Sequence, residues 1–280
     1  MTELGVFARV FPPGSPEEIA AAIGSAGFSV TQLNLSAVRR PTLDTTLSDI
    51  DAAAIGAAFT RAGVRIWGLS GTFNAIDPDE TARNVAIAAC RTLLARAPAL
   101  GAEVVTLCTG TRDPEHMWRA HPDNTAPQAW RDLRATLDEL IPAAAAANVL
   151  LGLEPEPGNV IRDADYAVRL LAELGEDVRH VGVVLDPANL LTVDTLPLQE
   201  EVLTHAFEAL ASRTVAMHAK DVVAAGYAAP GVGGMDYSLV MRLHAALPER
   251  VPIIAQDLTA EDARRVYSFL AEHARPGSPD

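Results

Sequence analysis

Short apolar runs alternate along this chain with longer segments in which apolar residues recur at helical spacing. Apolar runs of about 4–8 residues bounded by polar or turn residues are typical of strands buried in a parallel sheet. We predict eight such strands, at residues 3–10, 28–35, 64–70, 102–108, 149–155, 180–186, 213–219 and 251–257. The segments between them predict eight helices, near residues 16–26, 48–62, 79–100, 125–147, 163–174, 198–211, 236–247 and 259–273.

Cap and turn residues agree with these boundaries. Ser15 precedes Pro16 and is followed at the third position by Glu18, the pattern of a capping box at the start of a helix. Gly27 and Gly101 each stand between a predicted helix and the next strand, where the left-handed backbone that ends many helices favours glycine. The local signals therefore support the hydrophobic pattern.

Strand–helix units of about 30 residues predict a parallel sheet, and eight of them in 280 residues match a single (β/α)8 TIM barrel of the α/β class. A doubly wound open sheet is the competing architecture, but no Gly-x-Gly-x-x-Gly sequence follows the first strand. We find no domain linker. We therefore predict one barrel domain over residues 1–273, with its active site at the C-terminal strand ends, and a disordered tail over residues 274–280.

Composition narrows the class of partner. Lys and Arg sum to 22 and Asp and Glu to 36, a net charge of −14, which argues against a nucleic-acid partner because such proteins need clustered basic residues. No run reaches about 18 consecutive apolar residues, so we expect no membrane span. Two cysteines without Cys-x-x-Cys spacing, and an N-terminal segment unlike a signal peptide, favour a cytoplasmic protein.

Four metal-competent side chains end the last four predicted strands. The segments LGLEPEP, VVLDPAN, MHAKD and IIAQD carry Glu154, Asp186, His218 and Gln256. Residues at these positions of a barrel converge on one face. Carboxylate and carbonyl oxygens with one imidazole suit a divalent ion. We predict that all four residues bind one ion, with Mn²⁺ favoured and Mg²⁺, Co²⁺ and Zn²⁺ as alternatives.

These motifs resemble the xylose-isomerase-like TIM barrels, which include sugar-phosphate isomerases and epimerases, ketose 3-epimerases, hydroxypyruvate isomerases, inosose dehydratases and endonuclease IV. Members of that family have a Glu on strand five, an Asp on strand six and a His on strand seven, often as HxKD; Glu154, Asp186 and HAKD at 218–221 match. The resemblance implies a metal-dependent isomerase or epimerase that abstracts a proton next to the carbonyl of a sugar, keto-sugar or polyol-like substrate.

Two departures from the family pattern affect that expectation. Gln256 stands where members have a strand-eight Glu, and Asn189 stands where many have the His of a DxxH motif. In the epimerase branch of the family the first and last Glu also form the acid–base pair, and Gln cannot accept a proton at neutral pH. Another residue must then supply the second base, or the reaction needs only one base, or the protein has lost activity.

Glu156 and Lys220 are the candidate substitutes, so we predict Glu154, Glu156 and Lys220 as catalytic residues. Each lies two residues beyond a predicted metal ligand, and in an extended segment such residues point the same way. Lys220 could polarise a carbonyl or stabilise an enolate. The alternatives are a solvated loop charge for Glu156 and a salt bridge to Asp186 or Glu154 for Lys220.

Polar and aromatic residues at other strand ends are candidates for contacts with a small carbohydrate-like substrate. Small polar groups suit sugar hydroxyls, and Trp offers an apolar wall, although inward packing is the alternative for Trp67. The predicted substrate-binding residues are Gln32, Asn34, Ser70, Trp67, Asn189 and His116. His116 belongs to a long loop, 110–124, that we expect to cover the pocket.

Three other functions stay open at this point. A metal-dependent lyase or dehydratase on a carbohydrate-like substrate can work with one base and so tolerates Gln256. A partner-dependent or non-catalytic member would have a weakened metal site. Phosphodiester cleavage of the endonuclease IV kind needs more His and carboxylate ligands and conflicts with the charge of −14. A homo-oligomer is open alongside a monomer as the state of assembly.

Overall fold

Eight parallel strands close into a barrel in the computed structural model, which describes residues 2–274. The barrel strands are β1 (Leu4–Phe7), β2 (Val30–Leu33), β3 (Arg65–Ser70), β4 (Val104–Leu107), β5 (Leu150–Leu153), β6 (Val181–Leu185), β7 (Thr214–Ala219) and β10 (Ile253–Ala255). Their order around the barrel is β1-β10-β7-β6-β5-β4-β3-β2. Each lies within a predicted strand but is shorter, and the predicted (β/α)8 fold is confirmed. The predicted tail falls outside the described residues apart from its first residue, Ala274.

Eight helices pack around the barrel. They are α1 (Pro16–Ala26), α2 (Asp49–Arg61), α3 (Glu80–Leu100), α4 (Pro127–Ala147), α5 (Ala164–Glu173), α6 (Gln199–Leu210), α7 (Tyr237–Ala245) and α8 (Ala263–His273). Their ends obey the predicted signals: Ser15 and Glu18 form a capping box, and Gly27 ends α1 with φ of +107°. Among the helices of residues 2–274, none is long and apolar enough to cross a lipid bilayer.

Apolar side chains fill the barrel interior beneath the C-terminal strand ends. One cluster of buried residues draws on six different barrel strands, so its members can meet only across the interior. Its members are Val30, Trp67, Val104, Val184, Ala216 and Ile254. The interior is therefore a packed core rather than a channel, as is usual for this fold. Any substrate must bind above it, at the loops that follow the strands.

A short antiparallel hairpin follows β7 and is absent from the predicted elements. Its strands are β8 (Asp221–Val223) and β9 (Gly226–Ala228). The Asp221 carboxylate accepts hydrogen bonds from the backbone N–H groups of Gly231 and Met235, at 3.1 and 3.0 Å. Asp221 therefore ties the hairpin to the glycine-rich loop that leads to α7.

Candidate active site

Three of the predicted metal ligands meet at the C-terminal end of the barrel. Glu154 and Asp186 directly follow β5 and β6, and His218 lies in β7, so neighbouring strands carry all three. One ligand atom from each residue lies within 4.8 Å of the other two. Asp186 and His218 are buried and Glu154 is half-buried. Two carboxylates and one imidazole at this spacing can hold a divalent metal ion.

The His218 ring is fixed by a hydrogen-bond partner on each nitrogen. Nδ1 lies 3.0 Å from Glu154 Oε1, and Nε2 lies 2.9 Å from Gln32 Oε1. The Phe7 ring packs edge-on against the imidazole, with 5.2 Å between ring centres. Burial acts to raise the pKa of Glu154, but His218 and Lys220 outweigh it and hold that pKa below its ordinary value. Glu154 is therefore an ionised carboxylate.

Asp186 receives two donors on a single oxygen. Gln256 Nε2 donates to Asp186 Oδ2 at 2.6 Å, and Lys220 Nζ lies 3.2 Å from the same oxygen. The salt bridge considered for Lys220 is thus present, to Asp186. Burial raises the pKa of the Asp186 carboxyl group, although the charge of Lys220 opposes this shift. Burial alone would lower the pKa of Lys220, but the charges of Asp186 and Glu154 outweigh it and raise that pKa. The site keeps a buried ammonium group beside the predicted ligands.

Glu156 lies near the same charges but has no partner of its own. Its side chain is half-buried, and within residues 2–274 nothing forms a hydrogen bond or ion pair with its carboxyl group. Burial, followed by the charge of Glu154, raises the pKa of Glu156 to about 8, although Lys220 opposes the shift. Two carboxyl groups with pKa values displaced in opposite directions are typical of an acid–base pair.

Asn189 forms hydrogen bonds to both Lys220 and Glu154. Its Oδ1 accepts from Lys220 Nζ at 2.7 Å, and its Nδ2 donates to Glu154 Oε1 at 2.9 Å. Asn189 is 2% exposed. The structure places Asn189 between Glu154 and Lys220, and its predicted contact with substrate stays a prediction.

Two of the predicted substrate-binding residues are buried and joined to His218 by hydrogen bonds, and their substrate contacts stay predictions. Gln32 and Ser70 are 2% and 3% exposed. Gln32 Nε2 donates to Ser70 Oγ and to Thr106 Oγ1, each at 3.1 Å. Together with His218 they form a continuous row of hydrogen bonds across the barrel.

Three further predicted substrate-binding residues make their observed contacts elsewhere in residues 2–274. Asn34 caps a short 3-10 helix after β2 by accepting from the backbone N–H of Ser36 at 3.0 Å. Trp67 belongs to the apolar interior, where inward packing accounts for it. His116 is exposed and lies beside Trp118, with 6.3 Å between ring centres. Their substrate contacts stay predictions.

The loop 110–124 packs against the segment that carries Glu154 and Glu156. Asn159 Nδ2 donates to the carbonyl of Met117 at 3.1 Å, and Asn124 Nδ2 donates to that of Gly158 at 3.0 Å. This position is compatible with the covering role expected from its length, which stays a prediction.

Lys220 has three neighbours that the sequence analysis missed. Its Nζ lies 3.7 Å from the ring centre of Tyr227 and 3.8 Å from Asp257 Oδ2. The Tyr237 hydroxyl donates to the backbone carbonyl of Lys220 at 2.9 Å. Asp257 directly follows Gln256 and could have been found from that position. Tyr227 lies in the hairpin, which the hydrophobic pattern does not reveal.

Solved structures with this architecture include several sugar epimerases. The chain resembles 3-keto-D-glucoside 4-epimerase, YcjR, from E. coli with a TM-score of 0.76 and 17% identity, covering 97% of this chain and 99% of that one. It resembles D-psicose 3-epimerase from Clostridium cellulolyticum H10 with a TM-score of 0.74 and 16% identity, covering 98% and 99%. A xylose isomerase domain protein from Planctomyces limnophilus gives 0.71 and 16%, covering 97% and 96%. At these identities the likeness establishes the fold.

The sequence itself identifies the family. Comparison with curated protein sequences gives no significant match. A family model described as xylose isomerase-like TIM barrel matches residues 18–245. Because that match spans well over half of the chain, the protein belongs to the xylose isomerase-like TIM barrel family.

Proposed function

We propose that this protein is a divalent-metal-dependent isomerase or epimerase acting on a sugar, keto-sugar or polyol-like substrate. The observation that carries the proposal is the meeting of Glu154, Asp186 and His218 within 4.8 Å, beside a carboxyl group and an ammonium group that can handle protons and oxyanions. Two of the similar structures are sugar epimerases, which supports the same class.

A divalent ion held by Glu154, Asp186 and His218 would polarise the substrate carbonyl and acidify the neighbouring C–H group. Glu154 is ionised and takes that proton, leaving the electron pair of the broken C–H bond in an enolate. The Lys220 ammonium group donates a hydrogen bond to the developing oxyanion. Glu156, with a pKa of about 8, returns a proton to carbon.

Turnover in D₂O tests the proposal. The protein is incubated with a panel of unphosphorylated ketoses and keto-sugars and with added Mn²⁺, Mg²⁺, Co²⁺ or Zn²⁺, and the composition and deuterium content of each product are measured. We expect a product of the same composition that carries one deuterium from solvent. Glu154→Gln and Glu156→Gln should each slow turnover by about 10²–10⁴-fold, the usual contribution of a general acid or base. Glu139→Gln, on the exposed surface of α4, is the matched control. Metal-loaded protein that turns over no member of the panel would contradict the proposal.

A lyase or dehydratase is the second candidate, and Gln256 is the observation that favours it. An elimination needs one base, and Gln256, directly after the eighth barrel strand, offers none because its amide donates to Asp186. The same panel separates the two reactions. Elimination yields a product lighter by one water, whereas isomerisation and epimerisation conserve composition.

A further inference from the structure

We propose that Gln32 is a positioning residue that holds the Nε2–H of His218 and thereby directs Nδ1 to the metal ion. The inference rests on the metal site of the proposed function. It changes the role expected for Gln32 and Ser70 from substrate binding to support of a metal ligand.

Gln32 reaches His218 from a strand that is not its neighbour. In the barrel order, β1 and β10 separate β2 from β7, so the contact crosses the interior. Gln32 Oε1 lies 2.9 Å from Nε2, and the His218 side chain is fully buried. The other nitrogen, Nδ1, lies 3.0 Å from Glu154 Oε1 and so faces the remaining ligands.

The hydroxyl groups beyond Gln32 select the orientation of its amide. The Thr106 hydroxyl lies 3.4 Å from the backbone carbonyl of Leu69, which can only accept, so the Thr106 proton is directed there. Thr106 Oγ1 must then accept from Gln32, which places the amide NH₂ on the Thr106 and Ser70 side at 3.1 Å from each oxygen. Gln32 Oε1 is left facing the imidazole as an acceptor.

An acceptor at this place determines which nitrogen can bind a metal ion. A neutral imidazole that coordinates through Nδ1 must carry its proton on Nε2. Buried without a partner, that N–H group would lose its hydrogen bond to water and gain nothing in return. Gln32 Oε1 satisfies it, and such partners of ligating histidines typically contribute about 10–100-fold to metal affinity.

The first readout is the affinity for Zn²⁺, used as a diamagnetic probe, in variants of the full chain. Gln32→Leu keeps the approximate volume but removes the acceptor, and it should weaken Zn²⁺ binding by about 10–100-fold. Gln32→Glu keeps an oxygen acceptor and should retain binding much closer to wild type. Gln128→Leu, on the exposed start of α4, is the matched control. Wild-type affinity in Gln32→Leu would overturn the proposal.

The second readout is ¹⁵N NMR of the histidine side chains in wild-type protein, which does not depend on a variant that folds. We expect a slowly exchanging Nε2–H signal for His218 and a metal-induced shift at Nδ1. A metal-induced shift at Nε2 would overturn the proposal. If wild-type protein binds no metal, the proposed function fails. A slowly exchanging Nε2–H signal in the metal-free protein would still support the Gln32 contact. A rapidly exchanging Nε2–H would refute that contact.

Discussion

At the scale of single residues, the site holds two groups that would compete with a metal ion for Asp186. Gln256 Nε2 and Lys220 Nζ lie 2.6 and 3.2 Å from the same oxygen, Oδ2. A glutamate at position 256 would add a negative charge and remove one of these donors. The protein should therefore bind divalent ions more weakly than a site with a carboxylate at that position.

Gln256→Glu tests this explanation. We expect the affinity for Mn²⁺ to rise by about tenfold or more, equivalent to about 1.4 kcal/mol, because one unit of negative charge is added within a few ångströms of the ion. Titration calorimetry on wild-type and variant protein measures the change. Gln256→Ala, which removes the amide but adds no charge, is the control. An unchanged affinity in Gln256→Glu would show that residue 256 does not contribute to the metal site.

The sequence was sufficient to locate Glu154, Asp186 and His218, because strand ends in a parallel barrel converge whatever the details of packing. It could not assign Gln32. Its role depends on a hydrogen bond across the barrel, between strands that are not adjacent, and on the acceptor at Leu69 that orients its amide. Such contacts depend on side-chain geometry that periodicity does not encode.

At the scale of elements, the β8–β9 hairpin places an aromatic ring over the buried ammonium group. Tyr227 is 38% exposed, and its ring centre lies 3.7 Å from Lys220 Nζ, whereas Lys220 is only 6% exposed. The hairpin thus shields Lys220 from solvent, and a cation–π contact of this kind contributes about 0.5–2 kcal/mol.

Removing the ring should make Lys220 accessible. In Tyr227→Ala we expect an amine-reactive reagent to modify Lys220 several-fold faster than in wild type. Loss of the ring exposes the lysine and removes a contact that stabilises its charged, unreactive form. Tyr227→Phe keeps the ring and should react at nearly the wild-type rate. Peptide mass spectrometry measures modification at this lysine alone. Equal rates in Tyr227→Ala and wild type would mean that the hairpin does not protect the site.

The hairpin also shows which elements the pattern of apolar residues could not predict. Barrel strands and helices bury continuous apolar faces, so their periodicity is strong. Among the strands of residues 2–274, β8 and β9 pair only with each other, and most of β9 is exposed, so this segment needs no buried alternation. Hydrogen bonds to the carboxylate of Asp221 stabilise its structure. The sequence contains 36 acidic residues, and nothing in its pattern distinguishes Asp221 as the one that makes these bonds.

At the scale of the whole molecule, the closed barrel requires a filled interior. Trp67 is the largest side chain in the apolar cluster that fills it. Eight repeats of one strand–helix unit made the closed barrel predictable from the sequence. The side chains that fill the barrel were harder to predict, because a Trp within a barrel strand fits both a core position and a wall of the substrate pocket. Its 2% exposure favours the core position.

Trp67→Ala distinguishes the two roles. As a core residue, Trp67 should stabilise the fold by about 3–5 kcal/mol relative to alanine, and Trp67→Phe should lose considerably less. Urea unfolding followed by circular dichroism measures both variants. A Trp67→Ala protein with wild-type stability and a raised KM would instead support the predicted sugar-binding role.

The proposed metal site holds one catalytic divalent ion between Glu154, Asp186 and His218. Its most direct test is the metal content of the purified chain after dialysis against Mn²⁺, Mg²⁺, Co²⁺ or Zn²⁺, measured by elemental mass spectrometry. We expect about one ion per chain in wild type, none in Glu154→Ala or His218→Ala, and wild-type content in the exposed control His205→Ala. Metal that persists in both site variants, or none in wild type with any ion, would contradict the account.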